Sequence, residues 1–226
     1  MRYHLGVCPI RGSTLVTVTS TPEIDDEVTA PGPAATRAAI LAGAEEEFGA
    51  RGYRATTIEA VARAAGVSRP LVYRYFGDKE ELYRQAVADV LARWNDALAE
   101  AAGRAAPTWA HRFRLVVRTC VGWAAEHRML RGVLLQDSEL ARRVAGSTLA
   151  AGRDLLPALL ADLLRAGAAD GAVRADLDAD DMAWVIAEVA IAGSTQALRA
   201  TAPELRDSRL DAMVETLLHG VLLDGA

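Results

Sequence analysis

Arg69, Tyr73, Tyr75 and Lys79 lie close together in the chain, with Ser68 just before them and Thr57 a little upstream. Guanidinium, phenol, hydroxyl and ammonium groups in one stretch suit a polyanion. Arginine and lysine neutralise phosphates, and hydroxyl groups bond phosphate oxygens. Arginine also pairs bidentately with O6 and N7 of guanine, and a phenol ring can touch a thymine methyl. Arg69 is the expected base reader; Tyr73 and Tyr75 are expected to meet the backbone. Thr57 and Ser68 can donate to phosphate, although capping a helix would equally explain both. Tyr53 is assigned to packing.

A second pair, Cys120 and His127, is seven residues apart and can share a helical face. It is the best nucleophile and base available, yet nothing recognisable orients it. The chain has no phosphate loop, no Gly-x-Ser-x-Gly elbow and no His-Glu-x-x-His. His111 and His219 add no metal spacing, and Cys8 with Cys120 makes neither a disulfide scaffold nor a zinc set. No catalytic residue, metal or cofactor is expected.

Charge placement favours the polyanion reading. The 226 residues carry a net charge of −5, so any nucleic-acid site must be local. Between Arg51 and Lys79 stand six cations, Arg51, Arg54, Arg63, Arg69, Arg74 and Lys79, against two anions, Glu59 and Asp78. The segments on either side are net acidic. Hydrophobic residues at 51% and charged residues at 24% exclude wholesale disorder. No apolar run is long enough for a transmembrane helix. Lys79 is the single lysine in an arginine-rich chain, a bias expected of GC-rich bacterial coding sequence.

The elements that must position these groups read as helices throughout. Residues 1–33, rich in Thr, Ser, Pro and Gly, are expected to be a disordered tail. Leu5-Gly6-Val7-Cys8 lacks the apolar region of a lipoprotein signal, so a cytoplasmic protein is expected, with Val16 or Val18 a plausible true start. Ile40, Leu41, Ala44 and Phe48 form an apolar stripe, with Thr36 as its expected cap. Thr56 and Glu59 fit a capping box for a short helix that ends at Gly66. Ser68 is expected to cap a third helix, with Val67 and Val72 as its hydrophobic staple and Pro70 in its first turn. Asp78 and Glu81 fit another box, opening a helix to about Ala102. Three short helices with a glycine turn between the second and third make a helix-turn-helix.

The stretch Thr36–Val87 resembles the DNA-binding domain of TetR-family transcriptional regulators. The resemblance rests on Arg37, Ile40, Leu41, Ala44, Phe48, Gly52-Tyr53, Thr56-Thr57, Ala62, Ala65-Gly66-Val67-Ser68, Tyr73, Tyr75-Phe76, Lys79-Glu80 and Leu82. It implies an all-α fold: a helix-turn-helix domain over 34–83, then a helical ligand-binding and dimerisation domain over 84–226, joined by the long fourth helix. It adds Arg37 and Leu71 to the DNA-binding set, Leu71 as a thymine-methyl contact, and gives Lys79 a phosphate. At a helix N-terminus a cation opposes the helix dipole by about 0.3–1 kcal/mol, which local structure alone would not favour. The implied partners are a double-stranded DNA operator, a second copy of the chain and a small-molecule effector, with no membrane.

Beyond the fourth helix, helices are expected near 107–126, 128–136, 138–168, 178–200 and 207–223, with Pro157 bending or splitting the third. Val185 and Val189, with Leu210, Met213, Leu217 and Val221, suggest a two-helix face that forms a four-helix bundle with its symmetry mate. Trp109, Phe113, Cys120, Trp123, Met129 and Trp184 are read as lining an apolar cavity, with Glu188 as its polar anchor. The expectation is a dimeric repressor released from a palindromic operator by a small apolar ligand. The alternatives are a helical protein-interaction module and an enzyme using Cys120 and His127.

Overall fold

The computed structural model describes residues 32–134, 155–198 and 203–221. Among these the chain is all-α, with nine helices. They are α1 (Pro33–Ala55), α2 (Ile58–Ala64), α3 (Arg69–Phe76), α4 (Lys79–Gly103), α5 (Trp109–Glu126), α6 (Arg128–Leu134), α7 (Leu155–Ala169), α8 (Ala179–Leu198) and α9 (Pro203–Val221). Residues 1–31 of the tail read over 1–33, and residues 138–154 of the helix read over 138–168, lie outside the described residues.

Local chemistry accounts for most boundaries. Pro33 stands at the start of α1, where its missing N–H costs nothing, and Thr36 N–H bonds Gly32 O. Helix α1 thus begins three residues before the cap expected at Thr36, and inside the segment read as tail. Gly52 breaks the helical geometry at φ 74° and kinks the last turn. The cap of α2 is Thr57 and not Thr56: Thr57 Oγ1 accepts from Ala60 N–H at 3.2 Å. Thr56 is drawn inward instead. Its buried hydroxyl lies 2.8 Å from Gly52 O and 3.0 Å from Glu47 O, satisfying carbonyls at the kink.

Helix α2 ends in a Schellman motif. Gly66 adopts φ 66°, Gly66 N–H bonds Arg63 O, and Val67 N–H bonds Ala62 O. Ser68 then precedes α3 but makes no side-chain capping bond. Val72 joins the core and Val67 packs against it. Asp78 caps α4 by accepting from Glu81 N–H at 2.8 Å. The expected box closes on one side only, because the Glu81 carboxylate turns to Arg84 and Gln85.

One buried cluster runs from Ile40 to Val221. Ile40, Val61, Val72 and Leu82, from the first four helices, are all buried. Each such side chain is worth about 1.5–3 kcal/mol removed from water. Helix α4 touches α1 and α3 as well as α5, α6 and α7. Along it Leu82, Ala86, Val90, Trp94, Leu98 and Ala101 are buried. Helix α1 also packs directly on α6. A Cβ placed on Gly49 would lie 2.9 Å from Met129 N, so the two backbones meet where only glycine fits.

The C-terminal helices depart from the expected arrangement in three places. Leu210 and Val221 of α9 are buried in the chain's own core with Val214 and Leu218, so they present no free surface. Trp184 points outward at 60% exposure and does not join Trp109 and Phe113. Helix α9 starts at Pro203, earlier than the expected 207, with proline opening a helix as before.

Candidate nucleic-acid interface

Helices α2 and α3, joined by the Gly66 turn, present a polar and basic surface. Arg69 begins α3 and is half exposed. Its Nη1 pairs with Glu59 Oε1 of α2 at 2.5 Å. Its Nη2 donates to Tyr73 Oη at 3.2 Å, and its guanidinium carbon lies 5.4 Å from the Tyr73 ring centre. Tyr73 is itself exposed. Leu71 is half-buried, between Val72 on the core side and the exposed groups. Tyr75 packs partly against the core, with Arg74 near its ring. Ser68 is exposed, and its hydroxyl is not engaged in capping.

Lys79 leans toward the end of α1. Its Nζ donates to Arg54 O at 3.3 Å and sits 4.6 Å from the Tyr53 ring centre. Partial burial pushes its ammonium below the usual lysine value. The contact with Tyr53 gives this lysine a structural role alongside the phosphate role expected of it. Tyr53 packs as anticipated, edge-on to Tyr83 and stacked on Phe48.

Arg37 is exposed on α1. It donates to Gln85 Oε1 of α4 at 2.5 Å and lies over the Phe76 ring. It therefore ties α1 to α4 and to the last turn of α3. Thr57 is exposed but already accepts the capping bond; its hydroxyl proton remains a donor. Two partners escaped sequence reasoning, Glu59 for Arg69 and the Arg54 carbonyl for Lys79. Neither lies at a helical spacing from its partner, and no periodicity signals either.

Of the expected ligand-cavity residues, four lie in the buried core, Trp123 packs against it, and Trp184 stands outside it. Trp109 is buried, donates from Nε1 to Leu163 O at 2.7 Å, and stacks on the fully buried Phe113. Cys120 and Met129 are also core residues. Trp123 is half-buried and stacks on His127 at 3.5 Å. Glu188 is half-buried on α8, the helix that carries the outward Trp184. A shallow cleft does open elsewhere, between α7 and the start of α8, lined by Leu164, Val173, Arg174 and Met182 among others; none of the expected residues lines it.

The Cys120 and His127 pair does not make a catalytic couple. Burial pushes the Cys120 thiol up to about 12, which keeps it protonated and unreactive at neutral pH. His127 is engaged by Glu45 through Nδ1 at 2.9 Å. Among the described residues no group of His, Cys, Asp and Glu could hold a metal ion, and no helix is long and apolar enough to cross a membrane.

Two short helices, α2 and α3, joined by a tight glycine turn, packed with α1 and carrying an exposed basic edge, define a helix-turn-helix protein. The profile of bacterial regulatory proteins of the tetR family matches residues 40–86. The HTH-type transcriptional regulator BetI of Rhizobium meliloti is 32% identical over 147 residues, covering 59% of this chain and 72% of that protein. The chain belongs to the TetR family. The regulator TtgR of Pseudomonas putida is 44% identical over 66 residues, 29% of this chain. That alignment spans 31% of its length, so the chain matches about a third of this curated relative. The crystal structure of a TetR-family regulator from Pectobacterium atrosepticum superposes with a TM-score of 0.67 at 26% identity, covering 86% of this chain and 99% of that one. FadR from Bacillus subtilis, solved with stearoyl-CoA, shares the fold with a TM-score of 0.65 at 20% identity, covering 81% and 98%.

Proposed function

We propose that this chain is a homodimeric, sequence-specific DNA-binding regulator, and not an enzyme, acting in the cytoplasm on its operator. The observation that carries the reading is the exposed edge of α3, where Arg69, Tyr73 and Ser68 face outward from a buried Val72 and Phe76. A recognition helix in the major groove needs that division. Arg69 is assigned a guanine, Leu71 a thymine methyl, and Lys79, Tyr73, Tyr75, Thr57, Ser68 and Arg37 the phosphate backbone.

Dimerisation is assigned to α8 and α9. Trp184, Val185 and Val189 are 60%, 43% and 41% exposed and all stand on α8. Large apolar side chains gathered on one exposed helix mark an interface. Helix α9 supports them with the half-buried Met213 and Leu217, and Met213 meets α8 at Gly193. Leu210 and Val221 drop out of the proposed face because they are already core. The proposed domains are the helix-turn-helix over 34–83 and the ligand-binding and dimerisation part over 84–226. An apolar effector shifting the chain between two states is the regulatory reading, and it requires differential affinity for those states. FadR, a neighbour in fold, was solved with stearoyl-CoA, which supports the effector class and not its identity.

Selection from a random-sequence duplex library tests the reading. A dimer of this form should enrich two inverted half-sites about one helical turn apart. A pool that stays flat after repeated rounds contradicts it.

A further inference from the structure

We propose that Glu59 is a specificity-determining residue, one that steers Arg69 toward a base and away from phosphate. The inference rests on the DNA-binding reading above and concerns the α2–α3 surface alone. Arg69 is gripped from two sides, by Glu59 Oε1 at 2.5 Å from α2 and by Tyr73 Oη at 3.2 Å one turn along α3. The guanidinium is therefore oriented before any DNA arrives. Its unused N–H groups still allow a bidentate contact.

Charge placement gives the grip its consequence. Glu59 and Asp78 are the only carboxylates between Arg51 and Lys79. Asp78 is committed to the N-cap of α4. Glu59 is half exposed and stands among cations at the start of α2. An acid there suits the helix dipole, but that role does not require it to reach α3. As an exposed ion pair it adds little to stability. Its effect falls on the ligand. A phosphate approaching Arg69 would come beside the Glu59 carboxylate and meet like-charge repulsion. Guanine O6 and N7 carry no formal charge and meet far less of it. Glu59 thereby weakens the sequence-independent use of Arg69 and leaves its base contact intact. It is a positioning residue, acting through Arg69.

The test compares two duplexes, one selected by the wild-type chain from a random library and one scrambled duplex of equal length. Affinities and salt slopes are measured for the wild type, Glu59→Gln, Arg69→Ala and the double variant, with circular dichroism confirming the fold. Glu59→Gln should tighten binding to the scrambled duplex about tenfold, in the range of a close charge–charge coupling. Binding to the selected duplex should change much less, so the specificity ratio falls. The salt slope on the scrambled duplex should steepen by about 1 as Arg69 gains a phosphate. In the Arg69→Ala background the same change should leave the ratio unaltered. An unchanged ratio in Glu59→Gln overturns the inference, and so does an equal effect with and without Arg69. A wild-type chain that selects no sequence fails earlier, at the DNA-binding reading itself.

Discussion

His127 Nδ1 lies 2.9 Å from Glu45 Oε1, joining the α5–α6 junction to α1 across 82 residues of sequence. The other oxygen of the same carboxylate pairs with Arg93 of α4. Trp123 stacks on the His127 ring, and the Arg93 guanidinium sits 5.6 Å from the Trp123 ring centre. One carboxylate therefore fastens α1 both to α4 and to the α5–α6 junction.

Replacing Glu45 with alanine should cost about 1–2 kcal/mol, because it removes two partly buried charge-assisted bonds at once. Urea denaturation should show a lower midpoint with an unchanged slope. A midpoint equal to that of the wild type would mean the pair carries no net stability.

Gly49 offers a test in which two effects oppose each other. Alanine in a helix interior normally gains about 1 kcal/mol over glycine. Here its Cβ would lie 2.9 Å from Met129 N and 3.2 Å from Arg128 Cβ. Overpacking of that kind costs about 1–3 kcal/mol and should win, because one obstacle is backbone. Gly49→Ala is expected to melt lower than the wild type. A higher melting temperature would show that α1 and α6 have room to part.

Cys120 should be inert. In a Cys8→Ser background the native chain should resist a thiol reagent at neutral pH and react on unfolding, since the buried thiol titrates only near 12. The unfolded thiol ionises at about 8.5, so between these values the native state holds more protons than the unfolded state. This contribution to stability is fully present below the lower value and is lost as pH rises through the upper one. Stability should therefore fall more steeply over alkaline pH in the wild type than in Cys120→Ala. Rapid labelling of the native chain would refute the burial argument and reopen the catalytic reading.

Val189→Arg tests the dimer face. It places a charge among the exposed apolar side chains of α8, where an interface core is depleted of charge. Sedimentation should report a dimer for the wild type and a monomer for the variant. If both sediment as dimers, the symmetry contact lies elsewhere; if both sediment as monomers, the proposed dimer fails.

What could be read from the sequence follows the range of the forces involved. The α2–α3 turn and the start of α4 were legible because Gly66 and Asp78 act on atoms a few residues away. The choice between Thr56 and Thr57 as cap was not, since both are threonines. Contact with the end of α1 decides it, through Glu47 O and Gly52 O. In α9 the stripe of Leu210, Met213, Leu217 and Val221 reads as a face for a second copy of the chain, yet Leu210 and Val221 are buried. Periodicity does not say against what, and the partner proved to be the chain's own core. Trp184 misled for the converse reason, because a large aromatic side chain on an apolar helix carries no mark of an outward face. The recognition edge of α3 was visible from residue type, whereas the grip of Glu59 on Arg69 joins separate helices and required coordinates.

The Arg69–Lys79 surface is proposed to bind DNA by sequence. The most direct measurement is a mobility-shift titration with DNA from upstream of the chain's own gene, run against excess non-specific competitor at two salt concentrations. The wild type should give a competitor-resistant shift that weakens with salt, and Lys79→Ala should lower the salt slope by about 1. A shift abolished by competitor at both salt concentrations would contradict the account.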